Sequence, residues 1–278
     1  MHLRIAVITI AAFVIPNWAS AQTKDPDQSS STAPLSNEPQ QTTAALPDVV
    51  SPERPYERPV SWKMLFHNVT EDQKQIWSFP ARLVHGQSLL PTAAVLGTTA
   101  GLYSLDRRES GYFRRTTTFQ GFNHILNGNA TAIGMGAVSA SLYAIGRLRK
   151  DSKMQHTALL AGEAMADVAI VQTVLKDLTM RVRPVRYPDS GWFVTSKAPT
   201  AYIRGAGSFP SGHSIEAFAV ATIIARRYGN HRWVPYAAYG LASLVGFSRL
   251  TLNVHFLSDV AMGGALGYSI SRFTVLRQ

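Results

Sequence analysis

Between residues 86 and 274 the chain alternates six long apolar segments with short basic turns, and that alternation leaves few folds open. The segments run over about 88–105, 131–148, 157–182, 213–228, 233–248 and 255–272. Ala, Leu and Gly dominate them, and the β-branched alternation expected of strands is scarce. In the third segment Val168, Val171, Leu175 and Leu178 recur at helical spacing. Basic turns at 107–108, 147–153 and 226–232 separate the segments, and no internal repeat is visible. The pattern predicts an all-α bundle of about six core helices over 86–274. A short amphipathic lead-in helix is expected within 60–85. Thr70 and Gln73 have the spacing of a capping box, Ile76, Trp77 and Phe79 supply an apolar side, and Pro80 marks the end.

The N-terminal part has a different texture. His2 and Arg4 precede an apolar run over 5–15, Pro16 breaks it, and Ala19-Ser20-Ala21 fits a small-x-small cleavage pattern. Residues 1–21 therefore read as an export signal, too short in their apolar run to span a bilayer comfortably. Residues 22–59 contain seven prolines among Ser, Thr, Gln and Asp, with few large apolar side chains. Such a segment buries too little surface to offset its ordering entropy, so a disordered tether is expected there.

Charge follows the same division. Residues 22–60 carry three Lys/Arg against six Asp/Glu, whereas residues 61–278 carry 23 against 11. A basic folded part suits an anionic substrate or surface, and its dispersed cations argue against nucleic acid. The chain has no cysteine, which excludes disulfide scaffolds, thiolate zinc sites and cysteine nucleophiles.

Three polar clusters fall at the ends of the apolar segments. Lys176 and Arg183 lie seven apart, nearly two helical turns, so both leave the same face. Pro184 then stops the helix. Two cations at a helix C-terminus form a phosphate clamp or merely complement the macrodipole. The second cluster, Gly207-Ser208-Phe209-Pro210-Ser211-Gly212-His213, feeds a helix start whose free N–H groups favour an anion, unless Ser211 is an ordinary N-cap. The third is Ser248-Arg249 followed by His255 and Asp259. His255 and Asp259, at i and i+4, face each other on a helix, and a carboxylate accepting one ring N–H leaves the other nitrogen as a lone pair. A surface His/Asp pair has the same spacing.

Together the clusters resemble the three motifs of the type 2 phosphatidic acid phosphatase/vanadium haloperoxidase superfamily: Lys-x6-Arg-Pro, Pro-Ser-Gly-His and Ser-Arg-x5-His-x3-Asp. Here they read Lys176-DLTMRV-Arg183-Pro184, Pro210-Ser211-Gly212-His213 and Ser248-Arg249-LTLNV-His255-FLS-Asp259, in order and complete. The resemblance implies an all-α phosphatase domain over 86–274, hydrolysing phosphate monoesters of a lipid such as phosphatidic acid, or a small or isoprenoid phosphate. By that likeness Lys176, Arg183, Ser211, Gly212 and Arg249 bind the phosphate and His255 is the nucleophile. Asp259 orients it, and His213 is the general acid and base. No metal or other cofactor is implied, because three cations and a helix end already supply positive charge; vanadate enters as a phosphate mimic. The same residues would serve a vanadium-dependent haloperoxidase, with vanadate as cofactor, or a non-catalytic lipid-phosphate binder. Arg181 and Arg186, beside the first motif, read as solvated. His156 and His231 read as surface residues, and loop 185–209, with Trp192, Phe193, Tyr202 and Phe209, as a lid or specificity element or, equally, as local core.

The motifs fall at the end of helix three, the start of four, the end of five and the start of six, so all share one end of an up-down bundle. An exported N-terminus, six spans and a site facing outward are mutually inconsistent. Residues 116–146 lack Asp, Glu, Lys and Arg, yet Asn123, His124, Asn127 and Asn129 interrupt them. The expectation is an exported, periplasmic or membrane-associated domain, with an integral membrane protein as the alternative.

Overall fold

The computed structural model describes residues 58–185 and 207–277. The chain divides into Met1–Glu57 and Arg58–Gln278, and the described residues lie in the second unit. The export signal, nearly all of the tether, and Arg186, Trp192, Phe193 and Tyr202 lie outside the described residues.

Among the described residues all regular structure is helical. The helices are α1 (Leu65–Trp77), α2 (Phe79–Val84), α3 (Leu89–Arg115), α4 (Gln120–Ile125), α5 (Gly128–Leu148), α6 (Ser152–Thr179), α7 (Gly212–Arg227), α8 (Trp233–Thr251) and α9 (Leu257–Ile270), with a π turn at Ser271–Val275. Local chemistry sets several ends. Asn127 accepts from the Ala130 N–H and starts α5, and Asp151 accepts from the Met154 N–H and starts α6. The Asn127 start also divides the uncharged stretch 116–146 between α4 and α5. Met180, in the left-handed region at φ 44°, ends α6.

The six expected segments correspond to α3 and α5–α9, and α3 runs ten residues beyond its expected end. Helix α7 is central and packs on α6, α8 and α9. The apolar core is formed by Leu160, Ala164, Val168 and Val171 of α6 with Ile215, Ala219 and Ile223 of α7. Leu178, on the same predicted stripe, is exposed. Helices α7 and α9 approach until backbone meets backbone. A Cβ on Gly267 would stand 2.2 Å from the Ile215 carbonyl oxygen, and one on Gly263 would stand 2.8 Å from that of Ser211. On the α8 side, Phe113, Phe119, Phe122 and Phe247 meet at centroid distances of 5.4–5.9 Å and fix the α3–α4 corner.

The lead-in helix starts earlier than its sequence suggests. Thr70 is mid-helix in α1 and donates to the Phe66 carbonyl, so there is no capping box. Its polar neighbours turn inward instead. The side chain of Asp72 accepts from Arg58, and that of Gln73 donates to Asp167 on α6. Pro80 opens α2 rather than closing α1, at a position where its missing N–H costs nothing. Arg58 also pairs with Glu163 at 2.9 Å, and Asn68 donates to Glu163 at 3.0 Å. Asp72, Glu163 and Asp167 are wholly inaccessible. Burial first, and then the crowding of carboxylates, raises the pKa of Glu163 and of Asp167.

Among the described residues one helix, α6, is long and apolar enough to cross a membrane, and half of its most apolar window is buried against the bundle.

Two outcomes are expected. Gly267→Ala forces α7 and α9 apart and costs about 1–3 kcal/mol, read as a melting temperature lower by several degrees. Second, a carboxyl raised on folding contributes stability below its unfolded pKa and loses it as pH climbs through the raised value. The melting temperature therefore falls from pH 5 to pH 9, and Asp167→Asn flattens that slope; a rise over this range contradicts the assignment.

Candidate active site

Each of the three sequence clusters ends at the same end of the bundle. Lys176 lies in the last turn of α6, whereas Arg183 follows after Met180 has ended the helix, so the two do not share a helical face and Pro184 does not stop it. Ser211 to His213 open α7, Arg249 lies in the last turn of α8, and His255 and Asp259 flank the start of α9.

His255 is 3% exposed, and its Nδ1 lies 2.7 Å from the Ser208 carbonyl oxygen. A carbonyl only accepts, so Nδ1 carries the hydrogen and Nε2 is the lone-pair nitrogen. The nearest Asp259 oxygen is 3.6 Å from Nδ1. The expected direct hydrogen bond to Asp259 is therefore replaced by one to the backbone, and Asp259 acts on the ring by its charge. The reason lies in the other partners of Asp259. Its Oδ2 accepts from the Ser208 hydroxyl at 2.5 Å and the Phe256 N–H at 2.9 Å, while Oδ1 takes Arg181 at 2.5 Å. Burial opposes ionisation of Asp259, but His255, Arg181 and Ser208 outweigh it and hold the carboxyl below its usual range. Burial also lowers the pKa of His255, with Arg183 and Lys176 adding to the effect.

Lys176 is buried, and its Nζ donates to Gln172 Oε1 at 3.2 Å; Gln172 in turn donates to Glu216 at 2.8 Å. Burial, then Arg183, lowers Lys176 to about 8. A Cβ at 212 would stand 2.1 Å from Gln172 Oε1 and 3.0 Å from Lys176 Nζ, so a larger residue there would displace those two side-chain ends. Ser211 occupies the N-cap position of α7 but makes no side-chain cap bond; its hydroxyl accepts from Ser214 at 2.9 Å.

Arg249 is 1% exposed and donates from Nε and Nη2 to the Ser248 hydroxyl, and from Nη2 to the Leu126 carbonyl. Burial lowers it to about 10, so it stays cationic at neutral pH. His213 Nε2 lies 3.0 Å from the Gly128 carbonyl oxygen, which assigns the hydrogen to Nε2 and leaves Nδ1 for proton transfer. Burial, then Arg249, lowers His213 to about 4. His213 therefore lies well below the ordinary imidazole range in the free site. His213 is neutral there, and only a bound anion offsets the surrounding cations.

Several participants carried no sequence signal. Arg181, read as solvated, is 1% exposed and bridges Asp106 and Asp259. Gln172 sits one helical turn before Lys176. The carbonyls of Leu126 and Gly128 anchor Arg249 and His213 from the α4–α5 turn, and Asn123 locks that turn to Thr251 through two hydrogen bonds. His124 is exposed, as are His156 and His231.

Because Lys176 gives up its proton near pH 8 in the free site, anion affinity should weaken above that pH. Calorimetric titration with vanadate or inorganic phosphate from pH 6.5 to 9.5 is expected to follow this limb, and Lys176→Arg to remove it.

Residues 157–278 match the family profile described as PAP2 superfamily. The chain is 46% identical over 63 residues to the lipid A 1-phosphatase of Porphyromonas gingivalis, covering 22% of this chain and 14% of that protein. It is 30% identical over 98 residues to the lipid A 4'-phosphatase of the same organism, covering 35% and 40%. Phosphatidylglycerophosphatase B of Bacillus subtilis is 36% identical over 106 residues, covering 35% and 46%. The chain thus spans less than half the length of these curated relatives. The crystal structure of a transmembrane PAP2-type phosphatidylglycerolphosphate phosphatase from Bacillus subtilis aligns with a TM-score of 0.43 and 22% identity, over 66% of this chain and 92% of that one. Residues 157–278, the segment that matches the PAP2 superfamily profile, contain all three motifs of the site.

Proposed function

We propose that this protein is a phosphatase that hydrolyses phosphate monoesters of a lipid, or a small or isoprenoid phosphate, through a phosphohistidine intermediate and without a metal cofactor. One observation carries the reading: His255 gives its Nδ1–H to Ser208 and keeps Nε2 as a lone pair, close enough to Lys176 and Arg183 to feel both charges.

Lys176, Arg183 and Arg249 hold the phosphoryl oxygens, and Ser211 with the N–H groups at the start of α7 completes the cradle. Positive charge aimed at those oxygens stabilises phosphoryl transfer. His255 Nε2 attacks phosphorus; the N–P bond forms as the ester P–O bond breaks. The departing oxygen takes a proton from His213 Nδ1. That proton is bound only once the substrate's negative charge offsets the cations that depress His213 in the free site. The phosphorylated His255 ring is cationic, and the ionised Asp259 stabilises it. Water then gives a proton to His213 and attacks phosphorus, the P–N bond breaks, and inorganic phosphate leaves.

The names of the relatives support an amphiphilic substrate: they are phosphatases of lipid A and of phosphatidylglycerophosphate. An exported, membrane-associated placement fits such a substrate. The N-terminal signal pattern and the apolar surface of α6 support it.

The test is phosphate release with chelator present, from an aryl phosphate and from phosphatidic acid in detergent. Turnover should be blocked by vanadate, and acid-sensitive, base-stable phosphate should be trapped on the protein. His255→Ala should lose at least about a thousandfold in kcat. No turnover from folded protein, with bromide oxidation on adding vanadate and peroxide, would replace this reading by the haloperoxidase one.

A further inference from the structure

We infer that Arg181, held from its far side by Asp106, is a positioning residue that fixes the Asp259 carboxylate and its charge beside His255. The inference rests on the phosphohistidine reading of the site. It extends that site to α3, outside the segment that matches the family.

Arg181 is sealed between two carboxylates. Its Nη1 lies 2.5 Å from Asp259 Oδ1, and its Nη2 lies 2.6 Å from Asp106 Oδ2. Nη1 also donates to the Ser258 hydroxyl at 2.7 Å. Its guanidinium carbon lies 4.1 Å from the Phe256 ring centroid and 5.1 Å from that of Tyr103, so the plane has little freedom to turn. Asp106 is tied down in turn. It accepts from the Ser258 N–H at 3.0 Å and from the Ser258 hydroxyl.

Geometry and charge point the same way. By occupying Oδ1, Arg181 directs Oδ2 of Asp259 to Ser208, to Phe256 and toward His255. A guanidinium paired with Asp259 alone would cancel the negative charge that a cationic His255 needs. Asp106 shares that guanidinium, so Arg181 is not paired with Asp259 alone and cancels less of the Asp259 charge beside His255. Burial raises the pKa of Asp106, and Arg181 and Ser258 oppose that rise. The other charged groups around the pair are Glu109 on α3 and, on the phosphate side, Lys176 and Arg183. Burial, reinforced by Asp106 and Asp259, raises Glu109 well above the usual range.

Asp106→Asn is the decisive variant, because it keeps an oxygen for the Ser258 N–H and removes one charge. Three quantities are measured: kcat and KM on an aryl phosphate, the melting temperature, and the titration of the His255 imidazole by NMR with ¹⁵N-labelled histidine. The His255 resonance is assigned from the His255→Gln spectrum. The expected result is a kcat about tenfold lower with KM within twofold, and a His255 titration moved to lower pH. Wild-type kcat and titration in a folded Asp106→Asn overturn the inference. So does a kcat loss that tracks the melting temperature while the titration stays put. If Asp106→Asn does not fold, Arg181→Lys decides: its ammonium keeps the charge but lacks the fork that reaches both carboxylates. A tenfold loss in kcat at unchanged KM supports the inference, and wild-type kcat overturns it. Should the wild-type protein hydrolyse no phosphate ester, the hydrolase reading fails. The NMR titration then still decides the inference on its own, read in Arg181→Lys if Asp106→Asn does not fold.

Discussion

Everything at the site depends on how closely α7 can approach α9. Backbone lies on backbone where Gly263 meets the Ser211 carbonyl and Gly267 meets that of Ile215. That contact carries no side chain between the two helices, so their starting ends sit together with little play. The Ser211 N–H even donates to the Asp259 carbonyl at 3.0 Å across the gap. His213 at the start of α7 and His255 just before α9 are brought close enough to interact electrostatically by this absence of bulk. The polar groups then need only short reaches, which favours preorganisation over flexibility.

Buried charge is the second theme, and the two buried clusters use it differently. Between α1 and α6, Asp72 and Glu163 share Arg58 while Asp167 accepts from Gln73, and burial with this crowding raises the pKa of Glu163 and Asp167. Behind the site, Asp106 and Asp259 share Arg181, so its guanidinium is divided between two carboxylates rather than paired with Asp259 alone. Burying such groups is costly unless each is paired or neutralised. The site accepts that cost in return for a carboxylate that cannot swing away from its histidine.

The helical architecture was legible because the apolar segments are long and their separating turns are charged. The motif residues stood out because the three clusters together resemble the family's motifs; each cluster alone fitted an ordinary helix end as well. Other features were not. The His255–Ser208 bond is to a backbone carbonyl, and no side-chain pattern announces a carbonyl's direction. Arg181 sits two residues before Arg183 and looks equally basic in sequence. Its burial follows from Asp106, 75 residues away, which no local signal connects to it. The lowered pKa of His213 is likewise a collective property of burial and of Arg249. Thr70 and Gln73 had the right spacing for a cap, yet the tertiary demand of Glu163 and Asp167 for partners drew that face inward.

The Leu126 and Gly128 carbonyls that hold Arg249 and His213 have a consequence of their own. These are main-chain groups, present whatever residue stands at 126 or 128, so point substitution there leaves the donors' partners in place. What alters them is the path of the α4–α5 turn. A lengthened or shortened turn would shift His213 and Arg249 together, in register. The natural route to retuning this site is therefore insertion or deletion around Asn127, a kind of change that leaves every recognised motif intact.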